Sequence, residues 1–465
     1  MTSTPALPGG RTRPSVHFTA QEGWINDPYG IGWHDGEYHL FYQAVPEQVV
    51  WGPNCHWGHA TSPDLTHWEE QALALTPEPF ELGCWSGSVA YDDASEPQLL
   101  YTRVAGDNWA IGQVARATRE SSGIPRWRSV SSDAVIPTPP PELSITSYRD
   151  PFVFRRDQGD WGMLVGAALS DGTAAALHYH SDDLQVWTYD GVLCSRHTDR
   201  GDETWSGTLW ECPQLIRLGR DNWVLIVSVW EDDELHHVVA ARGRYDGARF
   251  TPDRWQRLTH GQSAYAMTAF RDKNGNACVM SWLREEPRNN ERLAGWAGAH
   301  SVAALVTLAA NGDLVLVPHP DVFALRGPVV AAESSALGRQ YLLGDTAVLV
   351  EFLAFGTGGL SLLHEDHERL SVSLSDEADM LLIARPGFGK DESLPRPTDG
   401  SLVRILLDGD IVEIFSTAGY GAYRIAPVTD ASRTTLVFHG PDDLDPVVHP
   451  LQAGQPAPTA GPASH

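Results

Sequence analysis

Over the first two thirds of the chain, apolar residues come in short alternating runs closed by Gly, Asp or Asn turns, and one layout recurs five times. Residues 26–33 lead to 38–42, 86–91 to 99–102, 149–154 to 161–165, 211–216 to 223–227, and 265–270 to 277–282. Alternation with a period of two over four to eight residues marks a half-buried strand, so each segment predicts a strand, a turn and a second strand. The leading positions 27, 86, 150, 211 and 265 stand 59, 64, 61 and 54 residues apart. Ser62-Pro-Asp-Leu-Thr-His-Trp68 and Ser181-Asp-Asp-Leu-Gln-Val-Trp187 are near copies, 119 residues or two repeats apart. An all-β unit of about 60 residues used five times predicts a five-bladed β-propeller over residues 15–320. The innermost strand of every blade faces the axis, so the five leading positions would converge at one mouth.

Beyond residue 320 the pattern changes. Segments 341–344, 347–352, 370–374, 380–383, 402–407 and 411–415 read as short strands, with turns such as Asp408-Gly-Asp410 between them. They predict a C-terminal β-sandwich over residues 336–450. Residues 1–14 and the Pro/Ala-rich 452–465 are expected to be flexible tails.

Charge and cysteine usage narrow the partners. In 465 residues, 33 Lys and Arg face 60 Asp and Glu, a formal net charge of −27. Nucleic acid and anionic membrane both need a positive footprint, so neither is expected as a partner. No run approaches the ~18 apolar residues that would span a bilayer. The start of the chain has no apolar core of a secretory signal. Cys55, Cys84, Cys194, Cys212 and Cys278 show neither zinc spacing nor a disulfide framework, which suggests a reduced, cytoplasmic protein. No phosphate-cradling glycine loop, dinucleotide fingerprint or Ser-His-Asp motif appears, so no cofactor is expected. His56/His59 and His178/His180 read as hydrogen-bonded strand histidines rather than metal ligands, and no metal is expected.

Asp27, Asp150 and Glu211 stand at matching places in repeats one, three and four. Such carboxylates serve either as structural hydrogen-bond acceptors at strand ends or as the pair that glycoside hydrolysis needs. In the second case one attacks and the other protonates the leaving oxygen. The repeat geometry alone leaves both open.

Trp24-Ile-Asn-Asp-Pro-Tyr-Gly30, Tyr148-Arg-Asp-Pro151 and Trp210-Glu-Cys-Pro213 resemble the three signature motifs of glycoside hydrolase family 32, the invertase and fructanase family. Phe41-Tyr-Gln43, Trp85-Ser-Gly-Ser88 and Gly295-Trp-Ala-Gly298 add to the resemblance, which runs over about residues 17–450. It implies a five-bladed propeller joined to a sandwich. It also implies Asp27 as nucleophile, Glu211 as general acid/base, and Asp150 holding fructosyl hydroxyls with Arg149 beside it. Asn26, Gln43, Trp51 and Ser86 would contact the fructose unit, and Trp51 or Trp85 would offer an apolar platform to its C–H edges. Asp27 must attack as a carboxylate, so it is expected to keep a low pKa among donors. Cys212 is expected to pack as a small hydrophobe, in preference to acting as a weak S–H donor.

The expected activity is retaining hydrolysis of terminal non-reducing β-D-fructofuranosyl residues from a small carbohydrate, sucrose or a short fructan. Fructosyl transfer and hydrolysis of phosphorylated sucrose are alternatives on the same scaffold. The phosphorylated substrate would call for Lys or Arg at the rim. A carbohydrate-binding propeller without turnover is the remaining alternative. Oligomeric state is not legible in the sequence.

Overall fold

The computed structural model describes residues 12–452, apart from 93–94, 107, 121–125, 133, 221, 287–294, 336–337, 345, 355, 376–378, 398–399, 429–433 and 441–445. All ten strands expected from the five repeats are present, paired two by two as antiparallel hairpins. Each hairpin is extended by further strands into a sheet. The first contains Gly23–His34, Glu37–Val45, His56–Ser62 and Glu69–Glu70, with Trp296–Ala297 added in parallel beside Gly23 and Trp24. The second runs Gly83–Asp92, Ser95–Val104, Gln113–Arg119, Trp127–Ser129; the third Ile145–Arg155, Trp161–Leu169, Ala174–Ser181, Thr188–Arg196. The fourth runs Leu209–Leu218, Asn222–Glu231, Glu234–Tyr245, Phe250–Arg257; the fifth Ala264–Arg271, Ala277–Leu283, Ala304–Leu308, Leu314–Pro318. The leading strands touch one another in chain order, and the fifth touches the first.

The two near-copy heptads fold alike. Asp64 Oδ1 accepts from the backbone N–H of Thr66 and His67, and Asp183 Oδ1 from those of Gln185 and Val186. Leu65 and Leu184 take φ values of 63° and 62°, and Trp68 and Trp187 each donate their indole N–H to that leucine's carbonyl. The carboxylate replaces the ladder partners that the turn has lost, and the indole closes the corner.

Two larger sheets follow. A six-stranded sheet contains Val348–Leu353, Leu402–Asp408, Ile411–Phe415, Tyr420–Arg424 and Val447–Pro450, and a seven-stranded sheet contains Gly358–His364, His367–Ser375, Met380–Ala384 and Thr434–His439 among others. Val350, Ile405, Val412 and Ile414 face Leu360, Val372, Ile383 and Leu436 of the partner sheet in one core. Their strand neighbours Leu349, Leu406, Ile411 and Phe415 pack on the opposite side, with Met267, Val279 and Val302 of the N-terminal sheets. Burial on both faces explains why these strands read as almost unbroken apolar runs.

Backbone pairing also joins the two parts: Thr259–His260, from the N-terminal region, pairs in parallel with Tyr420 and Gly421. Glu333–Ser335 belongs to the seven-stranded sheet although it precedes residue 336. The fully buried Arg424 bonds to Asp410 Oδ1 (3.1 Å) and to the carbonyls of Leu283 (3.0 Å) and Arg284 (3.2 Å). A buried guanidinium is tolerated only when its donors are matched in this way.

Of the tails, residues 1–11 and 453–465 lie outside the described residues. Residues 12–14 do not behave as a flexible tail. Arg13 donates to Thr19 Oγ1 (2.7 Å) and to the carbonyls of Ala20 and Gln21, and lies over the Trp296 ring. At the other end, Gln452 donates its N–H to the Leu325 carbonyl.

Candidate active site

Every leading strand carries a β-bulge near its start. The register skips Asn26 and Asp27, Ser86, Asp150 and Pro151, Cys212 and Pro213, and Ala266 and Met267. A bulge leaves residues out of the ladder and re-aims their side chains. Pro151 and Pro213 fit there because they have no N–H to lose. Asp150, Cys212 and Ala266, each the first residue of its bulge, have φ of 64°, 47° and 46°. Left-handed backbone at non-glycine residues costs of order 1 kcal/mol each and persists where surroundings over-determine it.

The bulges correct one expectation. Asp27, Asp150 and Glu211 do not share one phase: Asp27 is second in its bulge, Asp150 first, and Glu211 is the last paired residue before its own. Glu211 is therefore in register with Arg149 and Tyr265, the last paired residues of the flanking sheets. These three meet. Arg149 donates from Nε (3.0 Å) and Nη2 (2.8 Å) to Glu211 Oε1, and Tyr265 donates its hydroxyl to Oε2 at 2.6 Å.

Asp27 is held from the other side. Ser86 Oγ donates to its Oδ2 at 2.6 Å, and Asn26 Nδ2 lies 3.1 Å from its Oδ1. Gln43 Oε1 accepts from Asn26 Nδ2 (2.8 Å) and sits 3.0 Å from Ser86 Oγ. His300 Nε2 bonds to the Asn26 carbonyl at 2.7 Å, fixing the bulge from behind. Asp150 is buried; its N–H donates to Thr102 Oγ1 (2.8 Å), and its Oδ2 accepts the Cys212 N–H (3.0 Å). The Cys212 thiol lies 3.7 Å from both Asp27 Oδ2 and Asp150 Oδ2, and also packs against Tyr265, Ala266 and Trp282. Burial and the neighbouring carboxylates keep that thiol protonated, so Cys212 acts as a donor as well as packing.

Asp27 does not keep a low pKa. Burial pushes it up to about 6, the Glu211 charge adds to this, and the Ser86 and Asn26 bonds only partly offset it. Asp150 is raised too, first by burial and then by Glu211, against the pull of Arg149.

Trp51 and Trp85 meet each other beside Ser86, the residue that holds Asp27. Trp51 is 43% exposed and meets Trp85 edge-on at 5.7 Å, while Trp85 donates its indole N–H to the Pro53 carbonyl (3.0 Å). Together they form an apolar wall next to Ser86. The sequence reading assigned no role to Tyr265, although it leads the fifth repeat. Its place in the repeat was the available signal. Tyr265→Phe removes one donor from Glu211 while the ring stays packed. We expect kcat to fall about tenfold to a hundredfold with KM little changed, read by steady-state kinetics.

Among the described residues, one trio brings possible metal-ligand atoms together: Asp272, Cys278 and His319, within 4.8 Å. Asp272 already accepts from Asn274, Asn276 and His319, and burial pushes the Cys278 thiol up to about 12. The trio reads as a hydrogen-bonded corner.

Three carboxylates in one polar recess, two of them tied to different donor sets, are the equipment of a glycoside hydrolase. Residues 17–320 match the model of the glycosyl hydrolases family 32 N-terminal domain. The chain is 31% identical over 469 residues to a sucrose-6-phosphate hydrolase of Escherichia coli, and 28% identical over 463 residues to a raffinose invertase of the same organism; both alignments cover 93% of each chain. Among solved structures, the Bombyx mori family 32 β-fructofuranosidase superimposes with a TM-score of 0.80 at 25% identity, covering 96% of this chain and 95% of that one. The chain belongs to glycoside hydrolase family 32 and is a glycoside hydrolase.

Proposed function

We propose that this protein is a retaining β-fructofuranosidase that releases terminal fructosyl units from sucrose or short fructans. The observation that carries the reading is the division of donors. Asp27 is cradled by Ser86 and Asn26, while Glu211 is gripped from the opposite side by Arg149 and Tyr265. In the first step an Asp27 oxygen attacks the anomeric carbon as the bond to the leaving oxygen breaks, and Glu211 gives that oxygen a proton. In the second, Glu211 takes a proton from water, the water oxygen attacks the same carbon, and the Asp27 carboxylate is restored. Asp150 accepts hydrogen bonds from fructosyl hydroxyls, and Asn26, Gln43, Trp51, Trp85 and Arg149 shape the sugar's seat.

In this reading the five N-terminal sheets are the blades of a propeller over residues 15–320, and the two later sheets a sandwich over 336–450. The closed circuit of contacts among the leading strands supports it, as does the bulge repeated in each.

A second reading, hydrolysis of phosphorylated sucrose, is favoured by the similarity to enzymes of that name. A cavity of about 580 Å³, lined by Arg257 and Arg284 but also by Glu234, Glu285 and Glu286, adjoins Tyr265. Arg284 spends donors on the carbonyls of Leu235 and His236, and Arg257 spends one on that of Thr259. Glu285 and Glu286 are themselves paired with Arg424 (3.4 Å) and Arg385 (2.6 Å), so it is the commitment of Arg257 and Arg284 to carbonyls that favours a neutral leaving group.

The test is product analysis on sucrose and sucrose 6-phosphate across pH. Equimolar glucose and fructose from sucrose are expected, with kcat/KM falling about tenfold per unit below pH ~6, where Asp27 takes up its proton. Turnover of the phosphorylated sugar alone would select the second reading. Glucose in excess of fructose would mean transfer.

A further inference from the structure

The recess with the three carboxylates occupies one end of the leading strands; the other end is built differently. A cavity of about 410 Å³ lies there, and all five leading strands contribute to it. Its wall includes Ile31, Val89, Phe152, Trp223 and Phe270. Its mouth carries Arg155, Arg217 and Arg271, from the ends of the third, fourth and fifth leading strands. From Asp150 to Arg155 the strand advances five residues, roughly 16 Å of extended chain, so the two ends are separate places.

We propose that this mouth binds a phosphomonoester whose ring-sized apolar body enters the cavity. Three guanidinium groups stand here in a chain whose formal net charge is −27. Among the described residues lining the cavity, Asp157 is the one carboxylate, and it pairs with Arg217 at 2.9 Å. Two of the guanidinium groups are oriented by indoles: Arg155 lies 3.7 Å over the Trp161 ring and Arg217 5.6 Å over that of Trp223. The third is locked to the second, since Arg271 Nη2 donates to the Arg217 carbonyl at 2.8 Å. Arg271 is exposed as a whole, but partial desolvation of its guanidinium and the Arg217 charge lower its pKa, so the like-charged pair gains from an anion placed between them. Arg217 gives N–H groups to Asp157 and the Arg220 carbonyl, Arg271 to the Gly275 and Arg217 carbonyls, and Arg155 to that of Gly159. The phosphate oxygens would take the N–H groups these leave over, while the aromatic wall supplies area for the body of the ligand.

Phenyl phosphate is the probe, because it offers both parts and no sugar. Calorimetric titration of the full chain should show saturable binding that weakens with added salt. Phenol should give none, and inorganic phosphate should bind more weakly. The double variant Arg155→Gln/Arg271→Gln, at two exposed positions, should weaken binding about tenfold or more while sucrose hydrolysis is unchanged. Excess fructose should not displace the probe. No saturable binding at millimolar phenyl phosphate would overturn the proposal. So would binding indifferent to the double variant, or binding displaced by fructose, which would place the anion in the carboxylate recess.

Discussion

Asp27→Asn is expected to abolish fructose release, with kcat reduced on the order of 10⁴-fold or more, and at the same time to stabilise the folded protein. The first effect follows from losing the attacking oxygen while Asn26, Gln43, Ser86 and Asp150 keep their places, so sugar binding should survive. The second follows from the raised pKa. In the unfolded chain Asp27 titrates near 3.8, and in the folded protein near 6. Between those values the native state holds more protons than the unfolded one, so stability falls as pH rises through this window. Above pH 6 the full cost, on the order of 3 kcal/mol, is present. Asparagine removes it, and the Ser86 hydroxyl can turn its proton to Gln43 and accept from the new amide. Thermal unfolding should show a Tm gain of a few degrees at pH 7.5 and none at pH 4. An unchanged Tm at pH 7.5 would count against the buried-charge account of Asp27 even if activity were lost.

Glu211→Ala should be nearly as damaging on sucrose, but selectively. Loss of proton donation costs about 10²- to 10⁴-fold where the leaving oxygen is a poor leaving group. A fructosyl donor whose leaving group departs as a stable anion needs no such help, and its first step should be close to wild type. Resolution of the fructosyl-enzyme then lacks a base, so added azide should accelerate turnover and yield fructosyl azide. Because Arg149 loses its partner in this variant, Glu211→Gln serves as a control that keeps the volume and the Tyr265 contact. Equal loss on both donors with no azide effect would remove Glu211 from the acid/base role.

Strand positions were legible because alternation and turn residues are local properties. All ten leading-hairpin strands lie where the period-two runs place them. The bulges were not legible, because skipping a residue is a relation between two strands. That is why Asp27, Asp150 and Glu211 looked equivalent and prove to occupy three different steps of the same irregularity. Tyr265 was visible as a repeat position but carries no charge, and its partner lies 54 residues away. The pKa of Asp27 was misjudged because its donors are neighbours in motif or repeat, whereas the burial that outweighs them is tertiary. Among the later strands, Tyr420–Arg424 was missed, since Gly421 and Arg424 break its alternation. Only the folded chain supplies the acceptors that let the arginine be buried.

The short pairing of Thr259–His260 with Tyr420 and Gly421 has a consequence for how such a molecule can be taken apart. A cut between residues 327 and 333 falls in the segment that connects the two parts, yet it would not yield two independent pieces. The N-terminal fragment would expose Met267, Val279 and Val302 to water, and the other would carry Arg424 stripped of the Leu283 and Arg284 carbonyls. The later sheets thus serve as the cover of the fifth sheet, and the chain is expected to unfold in a single transition, which calorimetry of the whole chain would show.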